Sequence, residues 1–173
     1  YRRLYAGQPE HAQHYYATIT AMDEQMGRLR QALDRLGAAH NTMLWFCSDN
    51  GPARQGSPRH VGSAGGLSGF KLSIQEGGIR VPGLLVWPER VTEPRTISAP
   101  AVTTDYFPTI LDALDIALPQ DRDYDGVSLL PLINGEAKMR GKPIGFLNRD
   151  AKESVWMGER YKLFDGKKGT QLF

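Results

Sequence analysis

Apolar side chains recur three and four positions apart at Ile19, Met22, Met26, Leu29, Leu33 and Leu36, a spacing that lines one face of a helix. The pattern predicts a helix from about Pro9 to Leu36, with Pro9 in the first turn and Gly37 at the stop. Its register lasts too few heptads for a coiled coil, so the stripe is expected to pack on a sheet. The next run, Thr42-Met43-Leu44-Trp45-Phe46-Cys47, is apolar without alternation, which predicts a central parallel strand covered on both faces. A long helix followed by such a strand points to an α/β fold, with helix-strand units on a mostly parallel sheet.

Residues 50 to 70 are rich in Gly, Ser and Pro and predict a long loop, of the kind that often carries function. A second apolar run, Val81 to Trp87, predicts another strand, with Pro82 near its start and Pro88 closing it. Asp105 stands where it can cap a helix over Tyr106 to Leu114, and Val127 to Ile133 suggests a shorter helical turn. After Pro143 the short segments at 144–147, 154–157 and 161–164 are separated by Gly or charged turns and predict a small antiparallel meander. The expected division is 1–140, part of an α/β domain, and 141–173, the start of a small antiparallel subdomain. Neither end reads as a natural terminus: Tyr1 to Tyr5 suit neither a signal peptide nor an initiator context, and Gly169 to Phe173 read as a strand just beginning.

Composition narrows the function classes. With 173 residues and 40% of them hydrophobic, the chain can bury a single core. Its 21 Lys and Arg against 19 Asp and Glu are scattered and form no basic stripe, so nucleic acid is not an expected partner. The single cysteine, Cys47, excludes an internal disulfide and a cysteine-rich metal site, and inside an apolar run it reads as a core thiol. No segment has the apolar length of a membrane span.

The chemistry gathers where the first strand ends, in Ser48-Asp49-Asn50-Gly51-Pro52. Ligands of open α/β sheets bind beyond the carboxyl ends of strands, and a carboxylate beside a carboxamide is a hard-oxygen pair suited to calcium or magnesium. Taken alone, the same residues are good turn chemistry. Two ligands also fall short of the roughly six to eight oxygens that calcium takes.

Ser48-Asp49-Asn50-Gly51-Pro52, then Gly65-Gly66-Leu67-Ser68-Gly69-Phe70-Lys71, then Glu76-Gly77-Gly78-Ile79-Arg80-Val81-Pro82 together resemble the formylglycine-dependent sulfatases of the alkaline phosphatase superfamily. Tyr15-Tyr16-Ala17 through Met22-Asp23, Trp87-Pro88, Asp105-Tyr106-Phe107-Pro108-Thr109 and Asp125 to Pro131 extend the likeness over nearly the whole chain. The resemblance implies an alkaline-phosphatase-like fold and an enzyme that cleaves sulfate esters with a formylglycine nucleophile and calcium. It assigns metal ligation to Asp49 and Asn50 and sulfate binding to Lys71. Phe70 and Leu72 depart from the family pattern, which has small or basic residues beside the lysine. Glu76-Gly77-Gly78-Ile79-Arg80 reads as structural, its glycines permitting a tight backbone path into the next strand.

The nucleophile signature of that family, Cys/Ser-x-Pro-x-Arg, does not occur in these residues, and neither do the acidic ligands expected near the family's N-terminus. The chain is therefore expected to be the C-terminal part of a sulfatase, inactive alone and weak in calcium binding. Of the histidines, His11, His14 and His40 read as surface groups, while His60 in the long loop is a candidate substrate contact. Expected partners are a sulfate ester, for the parent enzyme, and a second copy of the chain through an exposed sheet edge. Export of the parent to the periplasm or its secretion is implied by the family alone. Phosphate or phosphonate ester hydrolysis in the same superfamily, and a non-catalytic binding or assembly module, are the alternatives.

Overall fold

In the computed structural model, which describes residues 1–53, 61–167 and 169–173, the predicted long helix runs Glu10–Arg35 (α1). Pro9 stands just outside it in an extended conformation, and its carbonyl accepts the amides of Ala12 and Gln13 at 2.9 and 3.0 Å. At the other end Gly37, with φ +66°, donates to Asp34 O at 3.0 Å while the Ala38 amide reaches Leu33 O at 2.9 Å. This pairing ends a helix by satisfying its last carbonyls, and it needs a residue at ease in the left-handed region.

Contacts divide the chain into two units, Tyr1–Glu89 and Arg90–Phe173. In the first, α1 is followed by Leu44–Cys47 (β1), the short helix Glu76–Ile79 (α2) and Gly83–Val86 (β2). β1 and β2 pair antiparallel, with Leu44 opposite Val86 and Cys47 opposite Gly83. The direction expected for β1 is thus corrected: among the described residues it has no parallel neighbour. An unbroken apolar run reports that both faces have cover, and it carries no information on the direction of the neighbouring strand. Cover is also incomplete, since every residue of β1 is only half-buried.

The apolar stripe of α1 departs from expectation too. Ile19, Met22 and Leu29 are 43%, 46% and 48% exposed, and the buried positions of the helix are Ala12 and Ala17. Geometry explains the shortfall, because a helix of this length extends about 39 Å and four-residue strands only about 13 Å. The strands meet α1 near its C-terminal end, where Leu33 lines a small recess with Leu44, Val86 and Pro88. Near its start, the Tyr5 and Tyr16 rings lie 5.3 Å apart and Tyr5 Oη and Thr20 Oγ1 share a hydrogen bond of 2.6 Å.

The second unit holds Tyr106–Ala113 (α3), Leu130–Ile133 (α4) and the strands Ile144–Leu147 (β3), Ser154–Met157 (β4), Lys162–Gly166 (β5) and Gly169–Leu172 (β6). These strands form an antiparallel meander in chain order. Leu129, Leu130, Leu132, Ile133, Ile144 and Val155 are buried and supply its core.

Asp105 is not the cap expected for α3: its carboxylate makes no capping bond to that helix and is fully buried. It accepts the amides of Val102 and Val127 at 3.0 and 2.9 Å, and Arg140 through Nε at 3.0 Å and Nη2 at 2.5 Å. The Arg140 guanidinium also donates to the carbonyls of Asp125, Lys142 and Pro143. Four residues on, the buried Thr109 hydroxyl donates to Asp105 O at 2.6 Å and accepts the Leu129 amide at 2.9 Å. The motifs at 105–109 and 125–131 are therefore one hydrogen-bonded unit, in which buried polar groups are satisfied by backbone and by each other.

Candidate functional site

Beyond β1 the Ser48 amide still reaches Pro82 O at 3.3 Å, and then the chain turns. Ser48 Oγ donates to Asn50 O at 3.0 Å, and Asn50 Nδ2 donates to Gly51 O at 2.8 Å. The turn chemistry read from the sequence is present. It engages the nitrogen of the Asn50 carboxamide and leaves Oδ1 without a donor among the described residues. Asp49 is exposed, and its carboxylate likewise has no hydrogen bond or ion pair among the described residues.

Three glycines fix this turn against the segment that carries Lys71. Gly51, Gly77 and Gly78 are buried. The Gly51 amide donates to Gly78 O at 2.8 Å, and the Gly77 amide to Ser68 O at 2.6 Å. A Cβ on Gly51 would lie 1.8 Å from Gly77 O, one on Gly77 2.3 Å from Gly69 O, and one on Gly78 2.0 Å from Ser73 O. None of the three has a positive φ, so close backbone approach is what demands glycine here. Glu76 and Arg80 form an ion pair at 3.6 Å across one helical turn, on the rim of this packing.

Lys71 is joined to the same turn, because its amide donates to Pro52 O at 2.8 Å. Its side chain is exposed and has no hydrogen bond among the described residues. Phe70 to Ser73 close a tight turn through the Ser73 amide and Phe70 O at 2.9 Å, and Leu72, in its third position, has φ +77°. Such backbone costs a leucine about 1 kcal/mol or more, and type II turns usually fill the position with glycine.

The structure thus brings the backbone of Lys71 to the exit that carries Asp49 and Asn50. His60 lies outside the described residues. His11 is exposed, His14 lies 3.7 Å from Glu10, and His40 pairs with Glu89 at 2.7 Å on the surface. Reading the sequence alone missed the contributions of Gly51 and Pro52 to this linkage. The available signal was the recurrence of glycine in three separate segments, S-D-N-G-P, L-S-G-F and E-G-G-I.

The donor chemistry of Asp49 and Asn50, one carboxylate and one uncommitted amide oxygen, fits a hard cation such as calcium. The described residues hold no group of three or more His, Cys, Asp or Glu that could complete a metal site. The pair is therefore part of a ligand set at most.

Comparison with known proteins shows where these features belong. The sulfatase family model matches residues 3–116. Steryl-sulfatase of Rattus norvegicus is 37% identical over 138 residues, covering 78% of this chain and 24% of its relative. Arylsulfatase G of Rattus norvegicus is 34% identical over 140 residues, covering 75% and 26%. Among solved structures, Ps i-CgsB in complex with k-i-k-neocarrahexaose aligns with a TM-score of 0.82 at 27% identity, over 96% of this chain and 37% of that one. The chain spans about a quarter of the length of these curated relatives. Its architecture is the alkaline-phosphatase-like α/β fold of sulfatases, with a small antiparallel sheet of four strands. With the family model matching well over half of its residues and the glycine-packed strand exit inside the matched span, the chain belongs to the sulfatase family.

Proposed function

We propose that the chain is the C-terminal part of a sulfuric ester hydrolase that attacks sulfate esters with a formylglycine nucleophile supplied by the rest of the protein. Asp49 and Asn50 contribute two oxygens to a calcium site, and Lys71 binds the substrate sulfate. The observation that carries this reading is the hydrogen bond of 2.8 Å from the Lys71 amide to Pro52 O, which ties the cationic loop to the oxygen pair. Calcium, when bound, supplies positive charge for the sulfate oxygens. The ammonium of Lys71 adds a compact point charge for the same anion.

Residues 1–173 alone turn over no sulfate ester on this reading and bind calcium weakly. Leu84 and Val86 are 59% and 38% exposed on β2, which supports self-association of the isolated chain through this sheet. No helix among the described residues is long and apolar enough to cross a membrane. A secreted or periplasmic parent is in keeping with the proposed chemistry.

The test is turnover of an aryl sulfate by the full-length protein with and without calcium. Calcium-dependent hydrolysis supports the assignment, and calcium-independent turnover removes Asp49 and Asn50 from the site.

A further inference from the structure

The turn that presents Asp49 and Asn50 is held from both sides by backbone. On the entry side the Ser48 amide continues the pairing with the β2 segment, donating to Pro82 O at 3.3 Å. On the far side the Gly51 amide donates to Gly78 O at 2.8 Å, where a side chain on Gly51 has no room. Between these anchors the half-buried Ser48 reaches over Asp49, and its hydroxyl donates to Asn50 O at 3.0 Å. Asn50 Nδ2 then donates to Gly51 O at 2.8 Å. A carbonyl oxygen only accepts, so this bond fixes which end of the carboxamide faces the backbone and leaves Oδ1 as the end that can meet a cation. Every bond in this set is internal to the strand exit, so none depends on what lies over Asp49.

Pro82, Gly51 and Gly78 hold the turn with main-chain groups, whereas Ser48 also holds it with a side chain. We propose that Ser48 is a positioning residue for the Asp49–Asn50 pair, its hydroxyl ordering both residues in the metal-free protein so that less freedom is lost when calcium binds. The proposal rests on the reading of Asp49 and Asn50 as calcium ligands. A ring closed from the Ser48 side chain to Asn50 O spans Asp49 and narrows the backbone states open to it. Each state removed beforehand is one that the cation need not exclude, which is how preorganisation raises affinity. Partners that orient a metal ligand without touching the metal are worth roughly tenfold to a hundredfold in metal affinity. The Ser48 bond is neutral and reaches the main chain of Asn50, not its ligating oxygen, which places it at the lower end of that range.

The test is calcium binding by the full-length protein, stripped with a chelator and titrated with calcium alone in a calorimeter, beside the thermal midpoint of the stripped protein. Ser48→Ala removes the hydroxyl and keeps the amide that pairs with Pro82 O. The expected result is a calcium Kd raised about tenfold, with the midpoint of the stripped protein close to the parent's. Ser48→Thr, which keeps the hydroxyl, should bind calcium with a Kd near the parent value. An unchanged Kd in Ser48→Ala overturns the proposal, and so does a Ser48→Thr variant as weak as Ser48→Ala. A lowered midpoint in the stripped Ser48→Ala protein makes Ser48 a structural residue and overturns it as well. A parent that binds no calcium, or an Asp49→Ala variant that binds it as tightly as the parent, overturns instead the reading of Asp49 and Asn50 as ligands.

Discussion

The amide of Gly51 donates to Gly78 O at 2.8 Å, and a methyl group on Gly51 would fall 1.8 Å from Gly77 O. Neither backbone can yield without breaking the hydrogen bonds that hold the strand exit. Gly51→Ala is therefore expected to cost about 3 kcal/mol or more, at the upper end of overpacking penalties. Gly65 offers the control, since nothing lies within 4 Å of its would-be Cβ and only its φ of +62° resists a side chain. Gly65→Ala should cost about 1 kcal/mol. Urea unfolding of the two variants in the full-length protein separates them, and equal losses would refute the close packing.

Asp105 and Arg140 supply the second prediction. Both side chains are almost wholly out of water, at 0% and 3% exposure, and meet through two hydrogen bonds. Removing one partner leaves a buried charge without its counterpart, which typically costs about 3 to 5 kcal/mol. Asp105→Asn and Arg140→Met should each destabilise by that order, whereas the double variant should lose less than the sum of the two. Strict additivity in a double-mutant cycle would show that the pair does not act as a unit.

Kinetics should distinguish the two charged elements of the proposed site. Lys71→Met removes the charge proposed to bind the sulfate and is expected to lower kcat/KM by about a hundredfold or more. Asp49→Ala is expected to raise the calcium concentration needed for half-maximal activity by more than about tenfold, the lower end of what changes around a metal ligand produce. With calcium in excess, part of the Asp49→Ala loss should return, and none of the Lys71→Met loss. Identical calcium dependence in both variants would argue against the division of labour.

Much of this fold is legible in the chain because its signals are local. The spacing from Ile19 to Leu33 marks α1, Gly37 marks its end, and the short segments after Pro143 become β3, β4 and β5 in the antiparallel order expected. What local patterns cannot carry is the identity of a distant partner. Asp105 before a helix has the look of a cap, yet the residue that claims its carboxylate stands 35 positions away. Arg140, between Met139 and Gly141, has no neighbour that signals burial. The direction of β1 was hidden for the same reason, since apolarity is set by cover and direction by topology. At the candidate site, the oxygen pair and the lysine were visible through motif resemblance. Their linkage was not, because it runs through the Pro52 carbonyl and through glycines whose need is for space and not for a special φ.

A last prediction concerns acid. Arg122 Nη2 and the Tyr124 hydroxyl donate to Asp121 at 2.7 and 3.0 Å, and these bonds, the guanidinium's first, hold the carboxyl below its ordinary value of 3.8. A carboxylate with a lowered folded pKa adds stability that is fully present above the unfolded value and disappears as pH falls through the folded one. The window for Asp121 therefore lies below pH 3.8, and the surface position of the pair keeps its contribution small. Carboxyl carbon NMR should place the Asp121 midpoint under 3.8 in the parent and higher in Arg122→Ala. Tyr124→Phe removes the lesser bond but keeps the ring stacked on Phe107 at 5.8 Å, so its upward shift should be the smaller of the two. Reversal of that order would mean that the hydroxyl, and not the guanidinium, is the main support of the ionised carboxylate.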